Sequence, residues 1–548
     1  MRKRLFIVLI FFISLSNWHF ISAQETRCQL WQWNITLPLI DNAGKTYSVS
    51  PYLWIPPTCS KVNAVMIAST AVIEQAIVED PGIRSVCIKY GIAIIWSDTQ
   101  FYLDEQTGLK QISDILDGFA EMSGYSELKT VPWIPVGHSA TLKIIRDMAK
   151  AKMDKLAFMI MNKNNNGFGY SPTVPTLTTY GEFVEWDSYG IDLKAAVIKD
   201  KTYPNVVKAS ESQLLVSYFS DPNTGHFDCS KPLMKNITNW MNDICKLRFD
   251  STGNLRLISP EQGWVCQPPV PGYKGFLPKK FSEASESERR NAWFPGLETA
   301  KAAFDMANIS MIRTAQIAGF ADSQGNYETG WWRAIMYSIP YILNNDGTLT
   351  IKTVPYFKVP QGHYANKFTD DKNSTDFGKL YSFYNKNEEF TNSGNSLEVD
   401  AMSGNLKKIN NQTFEYIPRF NSPNYLIVRE AGNEKYRTSV QPGRLTFKEI
   451  TTGVENVITF PTIPNQKLNH FTKIPLNAKS SSGLNVKYFI KTGPARIVKQ
   501  NQLIIEPDSI PPRAKFPLTI TITAYQLGSE TSTIKTATAV SRTFSFSK

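Results

Sequence analysis

The sequence predicts an α/β protein, a mostly parallel sheet covered by helices, with all-β modules behind it. Three observations predict this. Short apolar runs alternate with amphipathic stretches between residues 30 and 250. From about residue 308 onward the helical period gives way to tyrosine-rich, strand-like alternation. At 548 residues the chain is also too long for one hydrophobic core, and its 42% hydrophobic content suffices for several.

The first 23 residues stand apart from the fold. Arg2, Lys3 and Arg4 precede a continuous apolar run, Leu5 to Leu15, and Ile21-Ser22-Ala23 ends in small residues. That is the layout of a secretory signal peptide cleaved after Ala23, which predicts a secreted or periplasmic protein. No later segment has the roughly 18 uninterrupted apolar residues that span a bilayer, so no integral membrane segment is expected after cleavage.

Residues 24–250 form the α/β region. Its opening, Gln29–Pro56, reads as antiparallel strands around the turn signal Asp41-Asn42-Ala43-Gly44. Strands are predicted at Val62–Ala68, Ile92–Trp96, Trp133–Val136, Ala157–Met161, Thr176–Tyr180 and Leu214–Phe219. Helices are predicted at Gln111–Met122, Thr141–Ala151 and Pro232–Leu247. Residues 251–307 read as a proline-marked linker with a charged helical stretch, Ser282–Ala307. Residues 308–452 form a β-rich domain, in which Asn345-Asp346-Gly347 between strand-like runs signals a hairpin. In the last segment, 453–548, Leu518, Ile520, Ile522 and Ala524 alternate with threonines, as a strand with one buried face does. Several such strands in so short a span predict a β-sandwich.

Formal charge is +11, of which the leader supplies +3. The basic residues are scattered, which reads as a solvated surface, with attraction to an acidic polymer as the sharper alternative. No basic-aromatic motif points to nucleic acid. All six cysteines lie in the first half, and an exported chain meets oxidising conditions, so one or more disulfides are expected. None forms a CxxC pair, and with five histidines in the whole chain no HxxxH or His-Asp cluster exists; neither a metal nor a cofactor is called for.

The chemistry concentrates in Val136-Gly137-His138-Ser139-Ala140-Thr141, between a strand and a helix. A strand that turns at Gly-x-Ser-x-small straight into a helix is a nucleophile elbow. Small residues two places either side let the backbone turn tightly and lift the Ser139 hydroxyl clear of the sheet. The backbone N–H of Ala140 is then available to a developing oxyanion beside a helix N-terminus. Thr141 stands where glycine is commoner.

A serine hydroxyl needs a base. Only His138 and His226 lie in the α/β region; His138 adjoins the serine and is read as structural, and His226 follows the last strand, where a base belongs. The acid that orients it should follow the strand ending at Tyr180. Glu185 is favoured there, with Glu182 as the alternative and Asp187 after it. The second oxyanion donor is expected from the loop after Val62–Ala68, at Ser69 or Thr70. Trp96, Tyr102 and Trp186 are candidates for the pocket wall, although aromatics in such a domain are more often core.

The runs Tyr52–Pro57, Asp80–Arg84, Ser123–Leu128, Pro135–Ala140 and Gly225–Asp228 together resemble secreted multidomain α/β-hydrolases of polysaccharide-degrading Gram-negative bacteria. The tail, notably Ser480–Tyr488 with Gly493-Pro494-Ala495, resembles the immunoglobulin-type modules those enzymes carry. The resemblance implies cleavage of carboxylic esters, acetyl or methyl, on glycans by a Ser-His-Glu triad. The alternative is a glycan-binding or scaffold protein whose hydrolase fold has lost catalysis.

Overall fold

The computed structural model describes residues 31–40, 44–70, 72–99, 101, 107–163, 174–181, 215–269, 274–314, 316, 318–321, 338–355, 392–467 and 473–548. The segment 1–23 expected to be a signal peptide, Cys28, Tyr102, Glu182, Glu185, Trp186 and Asp187 lie outside them.

The α/β unit is built on one eight-stranded sheet. Its strands are β1 (Trp33–Asn34), β2 (Tyr52–Trp54), β3 (Ala64–Ser69), β4 (Ile92–Ser97), β5 (Trp133–His138), β6 (Met159–Asn162), β7 (Thr176–Gly181) and β8 (Val216–Asp221), in the spatial order β1-β2-β4-β3-β5-β6-β7-β8. The pairs β1–β2 and β2–β4 are antiparallel; every pair from β4 across to β8 is parallel. Within β3, Ala64, Met66 and Ala68 join one core while Val65 and Ile67 join the other. Burial on both faces is why these strands read as continuous apolar runs rather than alternating ones.

On one face lie helices α1 (Ile73–Val78), α2 (Pro81–Tyr90) and α5 (Lys231–Arg248); on the other lie α3 (Thr107–Ser123) and α4 (Leu142–Lys152). Two helix starts on the first face are capped by side chains. Asp80 Oδ1 accepts from the amides of Gly82 and Ile83 ahead of α2, and Ser230 Oγ accepts from Leu233 ahead of α5. Arg84, in the same run as Asp80, is buried and places its guanidinium over Trp31 and Trp54, at 5.1 and 4.8 Å. Among the described residues no helix is long and apolar enough to cross a membrane.

The segment read as a linker, 251–307, is folded onto the α/β unit. Trp264–Gln267 (β9) pairs with Phe276–Lys280 (β10) and Ala292–Phe294 (β11), and Leu297–Ile312 forms α6. The stretch Ser282–Ala307 is therefore two helices interrupted by a strand. The cause is its apolar residues: Val265, Cys266, Trp293, Phe294 and Ala303 all enter the core that α5 covers. Pro260, Pro268 and Pro269 flank these strands, and Pro278 is accommodated inside β10.

Beyond α6 the chain is β-rich. A unit spanning residues 314–450 has its own core of Phe320, Leu349, Val399, Phe414, Leu426 and Leu445. The predicted hairpin is present, with Ile342–Leu343 antiparallel to Thr348–Thr350 around Gly347 at φ 76°. The C-terminal unit has a four-stranded and a three-stranded sheet. Leu518, Ile520, Ile522 and Ala524 are buried between them as the alternation requires. This module docks on α3 and the turn after it. Arg513 pairs with Glu127 at 2.9 Å and stacks on Tyr125, and the Lys515 amide donates to the Ser123 carbonyl.

The disulfide expectation is not met among the described residues. Cys59, Cys87, Cys229, Cys245 and Cys266 are free thiols, all buried. Burial pushes the Cys59 thiol up to about 11 and Cys87 to about 12, so both stay protonated and pack as small apolar groups.

Candidate active site

Three strand ends meet at the C-terminal edge of the parallel sheet. β5 delivers Ser139, β8 delivers the loop carrying His226, and β7 ends at Gly181, paired with Asp221 of β8. Ligand sites in open α/β sheets lie at this edge.

The chain turns sharply at Ser139. Its φ is 53°, a left-handed conformation that costs a non-glycine residue energy and persists only where neighbours enforce it. Several neighbours do. A Cβ on Gly137 would lie 3.0 Å from both Ile145 Cδ1 and Thr141 Oγ1, a contact so tight that any larger residue would press α4 away from β5 by a few tenths of an ångström. Thr141 is accommodated where glycine is commoner because its hydroxyl is used. Thr141 Oγ1 donates to Glu74 Oε1 at 2.6 Å and accepts from the His138 amide at 2.7 Å. Glu74, fully buried on α1, also accepts from the His138 amide at 3.0 Å. Burial pushes its carboxyl up to about 8 despite those two donors.

Ser139 Oγ lies 2.6 Å from His226 Nε2. The two residues singled out as nucleophile and base, 87 positions apart, are therefore within hydrogen-bonding reach. His138 has a structural role: its Nε2 lies 2.7 Å from the His226 carbonyl oxygen, so that nitrogen carries the proton and donates. Burial first, then the neighbouring His226, holds the His138 ring well below the usual imidazole range. A neutral His138 packs 4.8 Å from His226, ring to ring, without opposing a positive charge there.

The His226 loop rests on a buried ionic cluster that the sequence reading missed. Lys163, at the end of β6 with φ 49°, has no exposed surface. Its Nζ donates to Thr224 Oγ1 at 3.0 Å and lies 3.7 Å from Asp221 Oδ2 and 3.8 Å from Asp228 Oδ1. Asp221 in turn accepts from the Ser230 amide and hydroxyl, and Asp228 accepts from the Gly225 amide through both oxygens. The loop from 221 to 230 is thus closed by its own carboxylates around one lysine. A signal existed: a lysine ending the apolar strand Met159–Asn162, and a glutamate within the apolar helix Ile73–Val78.

Two expectations change on this geometry. The Thr70 amide donates to the Ser97 carbonyl at 2.8 Å, continuing the β3–β4 ladder, so it is not free to serve as an oxyanion donor. The Thr70 carbonyl accepts from Trp96 Nε1 at 2.9 Å, which holds its backbone at φ 83°. Trp96 is core: it is fully buried and stacked on Trp31 and Tyr52. Ala140 sits in the first turn of the helical stretch beginning at Ser139, where amides have no partner within the helix. Glu185 and Glu182 lie outside the described residues. Two cavities, about 530 and 750 Å³, lie where α5 begins and the β-rich unit meets it; neither is lined by Ser139 or His226.

No protein-family model matches the chain, and no curated protein matches it. Solved structures similar to it include an α/β serine hydrolase homologue from Coxiella burnetii, 11% identical over 38% of this chain and 95% of that one, with a TM-score of 0.25. A lidless α/β serine hydrolase from Xanthomonas campestris is 13% identical over 40% of this chain and 96% of its own, TM-score 0.25. A poly(3-hydroxybutyrate) depolymerase from Bordetella parapertussis is 10% identical over 43% and 96%, TM-score 0.26.

Proposed function

We propose that this chain is an exported serine hydrolase of the α/β-hydrolase kind, cleaving acetyl or methyl esters on a polysaccharide. One observation carries the reading: the 2.6 Å contact of Ser139 Oγ with His226 Nε2, on a serine held at φ 53° at the C-terminal edge of the sheet. The imidazole accepts the hydroxyl proton as Oγ attacks the ester carbonyl. The oxyanion forms beside the Ala140 amide and the positive end of α4. His226 then protonates the departing alcohol, a sugar hydroxyl for an acetyl ester or methanol for a methyl ester. It next accepts a proton from the water that releases the acyl group. Glu185, or Glu182 in its place, orients His226; both follow Gly181, which pairs with the strand leading into the base loop.

The glycan preference rests on the resemblance to secreted multimodular enzymes, on the net positive charge, and on the immunoglobulin-type reading of the C-terminal module. Hydrolysis of p-nitrophenyl acetate and labelling by a fluorophosphonate probe test the chemistry. Ser139→Ala is expected to lower the rate at least about 1,000-fold and abolish labelling. His363→Ala should change neither. A screen of acetylated and methylated glycans tests the substrate. A protein inert to ester and probe alike, yet retained on polysaccharide, is instead the catalytically silent binding scaffold.

A further inference from the structure

The β-rich unit at 314–450 touches the His226 loop directly and reaches the Ser139 turn through α1. On the base side, Asn223 is buried at φ 58°, and its Nδ2 donates to the carbonyls of Gln316, at 2.9 Å, and Thr438, at 3.0 Å. Those acceptors are themselves fixed. The Gln316 amide group donates to the carbonyls of Glu430 and Ala431 and accepts from the Ser393 amide. On the nucleophile side, Gln75 follows Glu74, the residue that holds the Ser139 turn, and its Oε1 accepts from the Gly404 amide at 2.9 Å. On the third side, Phe420 meets Trp96 edge-on at 4.8 Å, Trp96 holds Thr70, and the Asn421 amide donates to Asp98 just past β4. A fourth tie, Lys231 with Asp400 at 3.1 Å, is exposed and worth little.

The C-terminal sandwich behaves differently. Among the described residues, its hydrogen bonds to the α/β unit fall on Trp31, Gln32, Ser60 and the run Glu121–Glu127, away from α1 and the His226 loop; Trp31 meets the third side through its stacking on Trp96.

We propose that the β-rich unit is a structural part of the hydrolase site, holding the Ser139 turn and the His226 loop in one register, with Asn223 as the positioning residue of the base loop. This rests on reading Ser139 and His226 as the working pair. The physical reason is that a serine and a histidine on separate loops must keep sub-ångström registration. Two hydrogen bonds from a buried, left-handed asparagine fix a loop more tightly than exposed contacts do.

The test uses the full chain. Asn223→Gly keeps the left-handed backbone without strain and removes both ties. It is expected to lower kcat on p-nitrophenyl acetate about 100-fold with KM within about twofold, since a misplacement near 1 Å has that effect. The fluorophosphonate labelling rate should fall in parallel. Gln75→Met, which cuts the Gly404 tie at similar volume, should lower kcat in the same way by a smaller factor and carries the test if Asn223→Gly does not fold. Arg513→Ala, which cuts an inter-module bond elsewhere, should leave kcat unchanged. Full kcat in both tie variants, alongside an inactive Ser139→Ala, sinks the brace and leaves the hydrolase standing. A wild-type protein inert to ester and probe sinks the hydrolase and the brace with it.

Discussion

The Ser139 turn and the His226 loop face each other across 2.6 Å, yet they are held by opposite means. The turn is nearly self-contained. Gly137, Ser139 and Thr141 lie within five residues, and the outside supports, Glu74 and the Asn162 amide group that donates to the Gly137 carbonyl at 3.2 Å, come from the neighbouring α1 and β6. The base loop depends on distant chain. Lys163 lies 61 positions from the Thr224 it contacts, and Asn223 binds carbonyls 93 and 215 positions away. A site assembled this way has one half written in a motif and one half written in tertiary packing. Disturbing the two halves should therefore have different consequences.

The largest effect is expected at Lys163. Replacing it by methionine keeps the volume and leaves Asp221 and Asp228 buried without a cation. Breaking a buried ion cluster by removing one partner costs about 3–5 kcal/mol. Denaturant unfolding of Lys163→Met should show a loss of that order, and activity should fall with it as the loop relaxes. A variant as stable as the wild type would mean the cluster is solvated in solution, and the contrast between the two halves would then weaken.

Within the turn the expected costs are smaller. Gly137→Ala sets a methyl 3.0 Å from Ile145 Cδ1 and Thr141 Oγ1. Overpacking of this kind costs about 1–3 kcal/mol. Because the strain falls between β5 and α4, kcat should drop more than KM rises; equal kcat at reduced stability would separate the packing role of glycine from the aim of the hydroxyl. Thr141→Val removes the hydroxyl that bonds Glu74 and the His138 amide. Leaving those buried groups short of a partner costs about 1–3 kcal/mol. Thermal unfolding and kcat measured together would show whether the turn keeps its shape on glycine and packing alone.

The same division explains what was legible in the sequence. The parallel strands could be placed within a few residues because most are short apolar runs bounded by turn residues, and β8 and its loop could be placed because a lone histidine follows a largely apolar strand. Ser139 stood out because its constraints are local. The β9–β11 segment was read as a linker because its strands are only three to five residues long and sit among prolines. Asp221, Asp228 and Lys163 went unnoticed since charged residues at strand ends are usually solvated, and only the fold brings these three together. The Thr70 amide looked available because the ladder that consumes it depends on register with Ser97, which no local pattern reveals.

Glu74 anchors the turn from α1 and supports the finest test. Its carboxyl is pushed up to about 8 by burial, so the folded state holds a proton that the unfolded chain releases in the ordinary carboxylate range. The stability this contributes is fully present below that range. It declines as pH rises toward 8 and is gone above it. Thermal unfolding of the wild type should thus show a falling component between roughly pH 5 and 8, and Glu74→Gln, neutral throughout, should flatten it. Glutamine can still accept from the His138 amide and the Thr141 hydroxyl, so kcat near neutral pH should stay close to that of the wild type. An unchanged slope in Glu74→Gln would show that the carboxyl is ionised beneath the turn, held by its two donors, and that the Ser139 turn rests on a buried charge just as the His226 loop does.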